Sequence, residues 1–299
     1  MEYKQLGKSN LKISRIGLGC MSLSSSKEQE AKSIIDQAIE LGINYFDTAD
    51  LYDKGKNEEM LGKALKEKRD KVIIATKVGN QWKEDGSGWD WNPRKDYIVK
   101  AVESSLQRLQ TEYIDLYQLH GGTIDDPIDE TIEAFELLKK QGKIRYYGIS
   151  SIRPNVIREY VKRSSIVSVM MQHSLADRRP EESAFDLLQE HNIGVLARGS
   201  LAQGLLINKP AKEYLGHTAE VIAAAAQLVQ GIAVTNQTAA QTALLYVLQQ
   251  PAITAAVVGI SRMEQLKEIA ATTTKEKLTA EAIAMLQEVL PAKHYEQHR

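Results

Sequence analysis

Eight short apolar runs, each parted from the next by a stretch with helical periodicity, constrain this chain more than any other feature. They occupy residues 15–20 (RIGLGC), 45–49 (YFDTA), 72–77 (VIIATK), 113–120 (YIDLYQLH), 144–150, 166–172, 194–199 and 253–259. Their length and bounding turn residues read as strands. The intervening stretches read as amphipathic helices. In EAKSIIDQAIELG, for example, Ile34, Ile35, Ala38, Ile39 and Leu41 keep one apolar stripe. Gly42 and Gly142 stand where a helix closes just ahead of a strand. Alternating strand and helix means a parallel sheet, since a parallel pair needs a crossover connection. Eight such units in about 250 residues suit a closed (β/α)8 TIM barrel. The pattern alone leaves an open doubly wound sheet as the alternative. No Pro/Ser-rich linker interrupts the pattern, so residues 1–299 are expected to form one domain.

Three segments exceed the bare repeat. QLGKSNLKI, near the start, places a turn between two alternating runs and predicts an N-terminal hairpin. Residues 79–95, carrying Trp82, Trp89 and Trp91, read as a long loop after the third strand, with at least one tryptophan expected to line a pocket. The stretch between the seventh and eighth strands holds two helical patterns, one of them extra to the repeat.

Composition narrows the function. A formal net charge of -1 offers no cationic surplus for nucleic acid. The single cysteine, Cys20, excludes an intramolecular disulfide framework and fits a reducing compartment. No apolar run approaches the roughly 20 residues that span a bilayer. The expectation is a cytoplasmic protein with a small-molecule substrate and without nucleic-acid or membrane partners; the sequence leaves the oligomeric state open, a monomer included.

In a barrel of this kind chemistry sits at the C-terminal ends of the strands. The second strand ends at Asp47, with Tyr52 in the loop beyond; the third ends in Lys77 and the fourth in His120. By period two, Lys77 shares a face with Ile73 and Ala75, and His120 with Leu116 and Gln118, so charged groups cap apolar inward rows. Singly, each has an ordinary structural explanation: a strand-end carboxylate, a surface lysine, a loop aromatic, a core histidine. Together they fit acid chemistry. A buried lysine needs a counter-ion, and Asp47 supplies one. A lysine cation beside a phenol favours the phenolate and makes the phenol a better proton donor. The set suits protonation of a carbonyl oxygen while hydride reaches carbon.

These positions, in FDTADLY, IIATK and DLYQLH, resemble the catalytic tetrad of the aldo-keto reductase superfamily. GKIRYYGISS and VVGISRMEQLKEI extend the match in order and spacing over nearly the whole chain, which is similar to the bacterial, potassium-channel-β-like branch. The resemblance implies a barrel with the hairpin closing its bottom, an NADP-dependent oxidoreductase acting on carbonyl and alcohol groups, and NADPH/NADP+ extended across the top. No metal is called for.

GLGCMS has Gly17 and Gly19 but Ser22 where a dinucleotide fingerprint needs a third glycine, so a Rossmann site is a poor fit. Barrels bind phosphate in the loops after strands seven and eight. Here those loops carry Gly199, Ser200, Leu201, Gln203 and Gly204, and then Gly259, Ser261 and Arg262. Ser261 and Arg262 open a helix whose N-terminus attracts an anion, and Arg262 could fork onto a 2′-phosphate. The resemblance adds Gln265 and Glu268 near the adenosine, and Gly19, Cys20, Met21, Ser150, Ser151, Gln172 and Arg198 around the nicotinamide.

Several positions depart from the commoner family pattern. Ser151 stands for an asparagine, Met170 for a glutamine (with Gln172 two residues on), Arg198 for the stacking aromatic and Ile269 for an asparagine, while Gly121 and Gly122 follow the histidine. These bear on cofactor affinity more than on chemistry. A redox role for Cys20 is less expected than that of a small buried apolar residue. The competing functional reading is an NADPH-binding regulatory or partner subunit with little turnover. A lyase using Lys77 as a Schiff base is disfavoured, because a lysine beside Asp47 stays protonated.

Overall fold

The computed structural model describes residues 1–233 and 236–299. Its centre is a closed parallel barrel of β3 (Ile16–Gly19), β4 (Tyr45–Asp47), β5 (Ile73–Val78), β8 (Ile114–Leu119), β9 (Ile144–Ser150), β10 (Ser168–Gln172), β11 (Gly194–Arg198) and β12 (Ile253–Gly259). They are the eight strands read from the sequence, and β12 pairs with β3 to close the ring in the register Ala256↔Ile16 to Gly259↔Gly19. The open doubly wound alternative is excluded by this closure.

Strand periodicity sorts the side chains into two cores. Tyr45, Ala75, Leu116, Met170, Leu196, Ala255 and Val257 fill the barrel interior. Their neighbours one residue on or back, such as Phe46, Ile74 and Tyr117, face the helices. Gly17 points inward against the Tyr45 ring, where an added Cβ would come within 2.7 Å of it. That glycine is therefore a packing requirement of the barrel rather than part of a phosphate loop.

Helices α1 (Glu28–Glu40), α2 (Lys56–Leu65), α3 (Lys95–Leu109), α4 (Ile128–Lys140), α5 (Pro154–Arg163) and α6 (Ala184–Glu190) each follow one strand. Between β11 and β12 lie two, α7 (Ala219–Ile232) and α8 (Ala239–Gln249), as the sequence pattern requires. After β12 come α9 (Met263–Ala270) and α10 (Ala280–Val289), the latter packed on α7. Among the described residues no helix is long and apolar enough to cross a membrane.

The N-terminal hairpin forms from β1 (Tyr3–Gln5) and β2 (Lys12–Ser14). Its Leu6, Leu11 and Ile13 join the interior cluster and cap it. Gly7 sits at φ +52°, and a Cβ there would meet Val167 O at 2.3 Å and Gly194 N at 2.7 Å. The hairpin thus closes the end where strands begin, leaving the opposite end for chemistry. The long loop after the third barrel strand differs from expectation. Residues Asn80–Trp82 (β6) and Trp89–Trp91 (β7) pair antiparallel, so most of it is a second hairpin.

Candidate active site

At the C-terminal end of the barrel, Asp47 closes β4, Lys77 is the penultimate residue of β5 and His120 follows β8 directly. The Lys77 side chain is 1% exposed. Its Nζ donates to Asp47 Oδ1 at 2.5 Å and to the Thr48 carbonyl at 2.8 Å, and stands 3.5 Å from the Tyr52 hydroxyl. Gln118 Nε2 donates to the other Asp47 oxygen at 3.3 Å. The Tyr52 and His120 rings meet edge to face at 5.8 Å. Four side chains from three strand ends and one loop thus converge on one point.

Burial lowers the Lys77 ammonium, but the Asp47 carboxylate and the Tyr52 oxygen more than offset it and hold the ammonium above its ordinary range. Burial raises the Asp47 carboxyl, and Lys77 and Gln118 limit the rise. Asp50, buried beneath the same loop, has its carboxyl pushed well above the usual range by burial and by Glu58. Burial, then Lys77 and Arg198, lower the His120 imidazole to about 3, so it is neutral at physiological pH and has one N–H to donate.

Tyr52, Lys77 and His120 line a cavity of about 440 Å³ with Met21, Leu51, Ser150, Ser151, Arg153 and Arg198. None of the three tryptophans lines it, contrary to the sequence expectation. Trp91 instead ties its hairpin down, donating from Nε1 to Asp126 at 3.0 Å and packing against Gly79 and Gly121. Cys20 is fully buried among the residues facing the helices, with Sγ near the Leu18 carbonyl. Burial pushes its thiol up, so the position is a small apolar one and its side chain does not reach the cavity.

The structure also recruits residues the sequence reading passed over. Asn57 receives the Thr48 hydroxyl at 2.7 Å and donates to the Cys20 and Leu23 carbonyls, stitching the loop after β4 to the one after β3. Glu58, fully buried, accepts from Thr76 on β5 and pairs with Arg108. The signal for Gln118 was present: a polar residue in the inward row that His120 ends. For Asn57 and Arg153 no sequence spacing gave notice.

The loops after β11 and β12 hold the other candidates. Arg198 Nη1 donates to Gln172 Oε1 at 3.3 Å. Ser200 Oγ is buried without a hydrogen-bond partner among the described residues. Gly259 lies so close to Ser22 that a Cβ would meet its Oγ at 2.3 Å, which draws the β3 and β12 loops together. Arg262 caps α9 without a side-chain bond and is exposed, and Ser261 N–H and Oγ point to Gln265 Oε1 at 3.3 and 3.4 Å. Leu201, Gln203, Gly204 and Glu268 fall on the same loops and the same short helix, and Gly19 ends β3 beside Gly259. An orphaned hydroxyl, small residues and a free helix N-terminus on one rim fit a phosphorylated dinucleotide.

A closed parallel barrel with an Asp–Lys pair, a phenol and a neutral imidazole at its C-terminal mouth defines a class of barrel oxidoreductase. Residues 15–291 match the Aldo/keto reductase family. The chain is 52% identical to the uncharacterized oxidoreductase YqkF of Bacillus subtilis, with both chains fully covered. It is 31% identical to an L-galactose dehydrogenase of Arabidopsis thaliana, covering 97% of this chain and 92% of that one. Among solved structures, the aldo-keto reductase AKR11C1 from Bacillus halodurans (holo form) superposes with a TM-score of 0.93 at 51% identity, covering 100% of this chain and 99% of the other. The chain belongs to the aldo/keto reductase family, oxidoreductases that use nicotinamide cofactors on small-molecule carbonyls.

Proposed function

We propose that this protein reduces aldehydes and ketones to alcohols with NADPH, within one catalytic domain, with Tyr52 as the general acid. The observation that carries this is the chain of contacts from Asp47 through Lys77 to the Tyr52 hydroxyl, at 2.5 and 3.5 Å. A nicotinamide cofactor held at this mouth would supply hydride for the carbonyl carbon. Tyr52 gives its proton to the carbonyl oxygen, and Lys77 stabilises the phenolate left behind. Asp47 keeps Lys77 in place and charged. His120, neutral, donates a hydrogen bond to the same oxygen without competing as an acid. The reverse direction runs through the same groups, in keeping with a relative named as an L-galactose dehydrogenase.

Arg198 and Ser200 with the loop around them would hold the nicotinamide side of the cofactor. Ser261, Arg262, Gln265 and Glu268 would hold its adenosine end. A guanidinium at that end favours NADPH over NADH.

The test is NADPH oxidation against a carbonyl panel for wild type and Tyr52→Phe. The expected loss in kcat is about 10²–10⁴-fold, the usual worth of a positioned acid. NADPH affinity in fluorescence titration should change little. Near wild-type turnover in the variant would remove Tyr52 from the role. NADPH binding without turnover on any carbonyl would favour a cofactor-binding partner subunit.

A further inference from the structure

Two guanidinium groups line the cavity beside Tyr52 and His120, those of Arg153 and Arg198, and the lining carries no Asp or Glu among the described residues. Neither arginine is within ion-pair distance of a carboxylate among the described residues. Asp47, the acid of the tetrad, is occupied by Lys77, and Asp126, beside Gly122, accepts from Trp91 Nε1 and from Thr123. Arg198 ends β11, on the rim that carries the Ser200 loop, and so belongs with the cofactor. Arg153 enters from beyond the end of β9, two strands from β11 around the ring, where it caps the start of α5 directly after Ser151 and Ile152.

Its position is fixed rather than free. One guanidinium nitrogen donates to the carbonyl of Gly122, two residues beyond His120, and its backbone N–H donates to Ser151 Oγ. Gly121 and Gly122 stand at φ +135° and +121°, a backbone path open to glycine, and so present that carbonyl to the arginine. A guanidinium has five N–H donors, so this single bond leaves a fork of donors for a ligand. Arg153 also lines a second cavity of about 710 Å³ under the C-terminal tail, together with Ile152, and therefore stands where the two spaces meet. There Lys293, His294 and His298 contribute basic groups, and Glu296 is the single acidic side chain among the described lining residues.

Resting on the reductase reading, we propose that the preferred substrates are carbonyl compounds bearing an anionic group, carboxylate or phosphate, and that Arg153 is the residue that recognises it. A planar fork of N–H donors matches either anion bidentately. A neutral carbonyl would leave the cation without a counter-charge in the half-buried wall it occupies. The reaction is unchanged in balance: hydride to the carbonyl carbon, a proton from Tyr52 to its oxygen, and the anion left intact as an anchor.

The test compares kcat/KM for matched pairs: succinic semialdehyde against butanal, and glyceraldehyde 3-phosphate against glyceraldehyde. Wild type should favour the anionic member of at least one pair by about tenfold to a hundredfold, the range of a charge-assisted hydrogen bond. Which pair shows it identifies carboxylate or phosphate as the anchor. The preference should shrink as ionic strength rises. Arg153→Gln should lower the anionic-to-neutral ratio by a similar factor, mainly through KM, and Arg153→Lys should restore part of it. Circular dichroism checks that both variants fold. Equal or better use of the neutral member of both pairs by wild type overturns the proposal, as does a ratio that Arg153→Gln leaves unmoved. Failure to reduce any carbonyl would instead count against the reductase reading. In that event calorimetric titration of succinate and of inorganic phosphate, with and without NADP+, still decides the arginine's role. Binding of either that Arg153→Gln weakens tenfold or more supports it, and binding of neither, or equal binding in both proteins, rejects it.

Discussion

The Lys77–Asp47 pair is the most consequential residue-scale contact, because each partner is buried and neither has another ion-pair partner among the described residues. Lys77→Met leaves Asp47 uncompensated, and breaking such a pair from one side costs about 3–5 kcal/mol. Urea denaturation should show a loss of that order, and Asp47→Asn added to it should return much of the stability. A loss of under about 1 kcal/mol would mean that Asp47 finds other support. His120 gives a second prediction, in pH. Its folded imidazole titrates at about 3, against about 6.5 when unfolded. Above pH 6.5 it is neutral in both states and contributes nothing to the pH dependence. As pH falls below 6.5 the unfolded chain takes up a proton that the folded chain refuses, so stability declines by up to about 1.4 kcal/mol per pH unit until near pH 3. In His120→Gln the fall between pH 6.5 and 4 should be shallower. Equal slopes in thermal melts of the two proteins would show that the imidazole is solvated. Asp47, Lys77 and His120 were legible because each sits at or just past a strand end, where one-letter patterns mark both the strand and its inward row, and Tyr52 because it follows in the loop beyond Asp47. Arg153 was not, since it follows β9 through an irregular turn, and only the carbonyl of Gly122 in space reveals where its charge goes.

Among elements, the two hairpins show what pattern can and cannot disclose. The N-terminal hairpin announced itself by alternation around a turn, and its apolar residues do cap the interior. Gly7→Ala should undock it, since the new methyl would strike the Val167 carbonyl and strain a left-handed backbone. Overpacking of this kind costs about 1–3 kcal/mol. The measurement is the urea midpoint, and an unshifted midpoint would mean the hairpin contributes no closure energy. The hairpin of Asn80–Trp82 and Trp89–Trp91 was hidden, because its strands of three residues carry polar side chains and Trp91 finds its partner far along the chain. Helix α9 carries a cofactor prediction. Arg262 at its N-cap is exposed and makes no side-chain cap bond among the described residues, and it is the proposed partner of a 2′-phosphate. Arg262→Ala should weaken NADPH by roughly tenfold or more, about 1.5–3 kcal/mol for a charged hydrogen bond, and leave NADH nearly unchanged. Equal weakening of both cofactors in fluorescence titration would point to a structural arginine.

At the scale of the whole molecule, strand count and order were readable because a parallel barrel repeats one sequence pattern eight times. The closing contact was not, since nothing in the local sequence of β3 names β12 as its neighbour. That contact joins Gly17 to Val257 and Gly19 to Gly259, residues separated by nearly the full chain. Its consequence is temporal. During synthesis the amino-terminal strands emerge long before their last partner, and β3 must wait with one edge unpaired. Until residues 253–259 have left the ribosome, the nascent barrel is an open sheet with two bare edges, at β3 and β11. Bare parallel edges recruit other chains, and contacts between distant segments form slowly. A chain interrupted before β12 is therefore a substrate for chaperones or aggregates, whereas a chain released even a few residues beyond α9 has every barrel edge satisfied. The quality of this protein in the cell is thus decided late, by whether translation reaches its last strand.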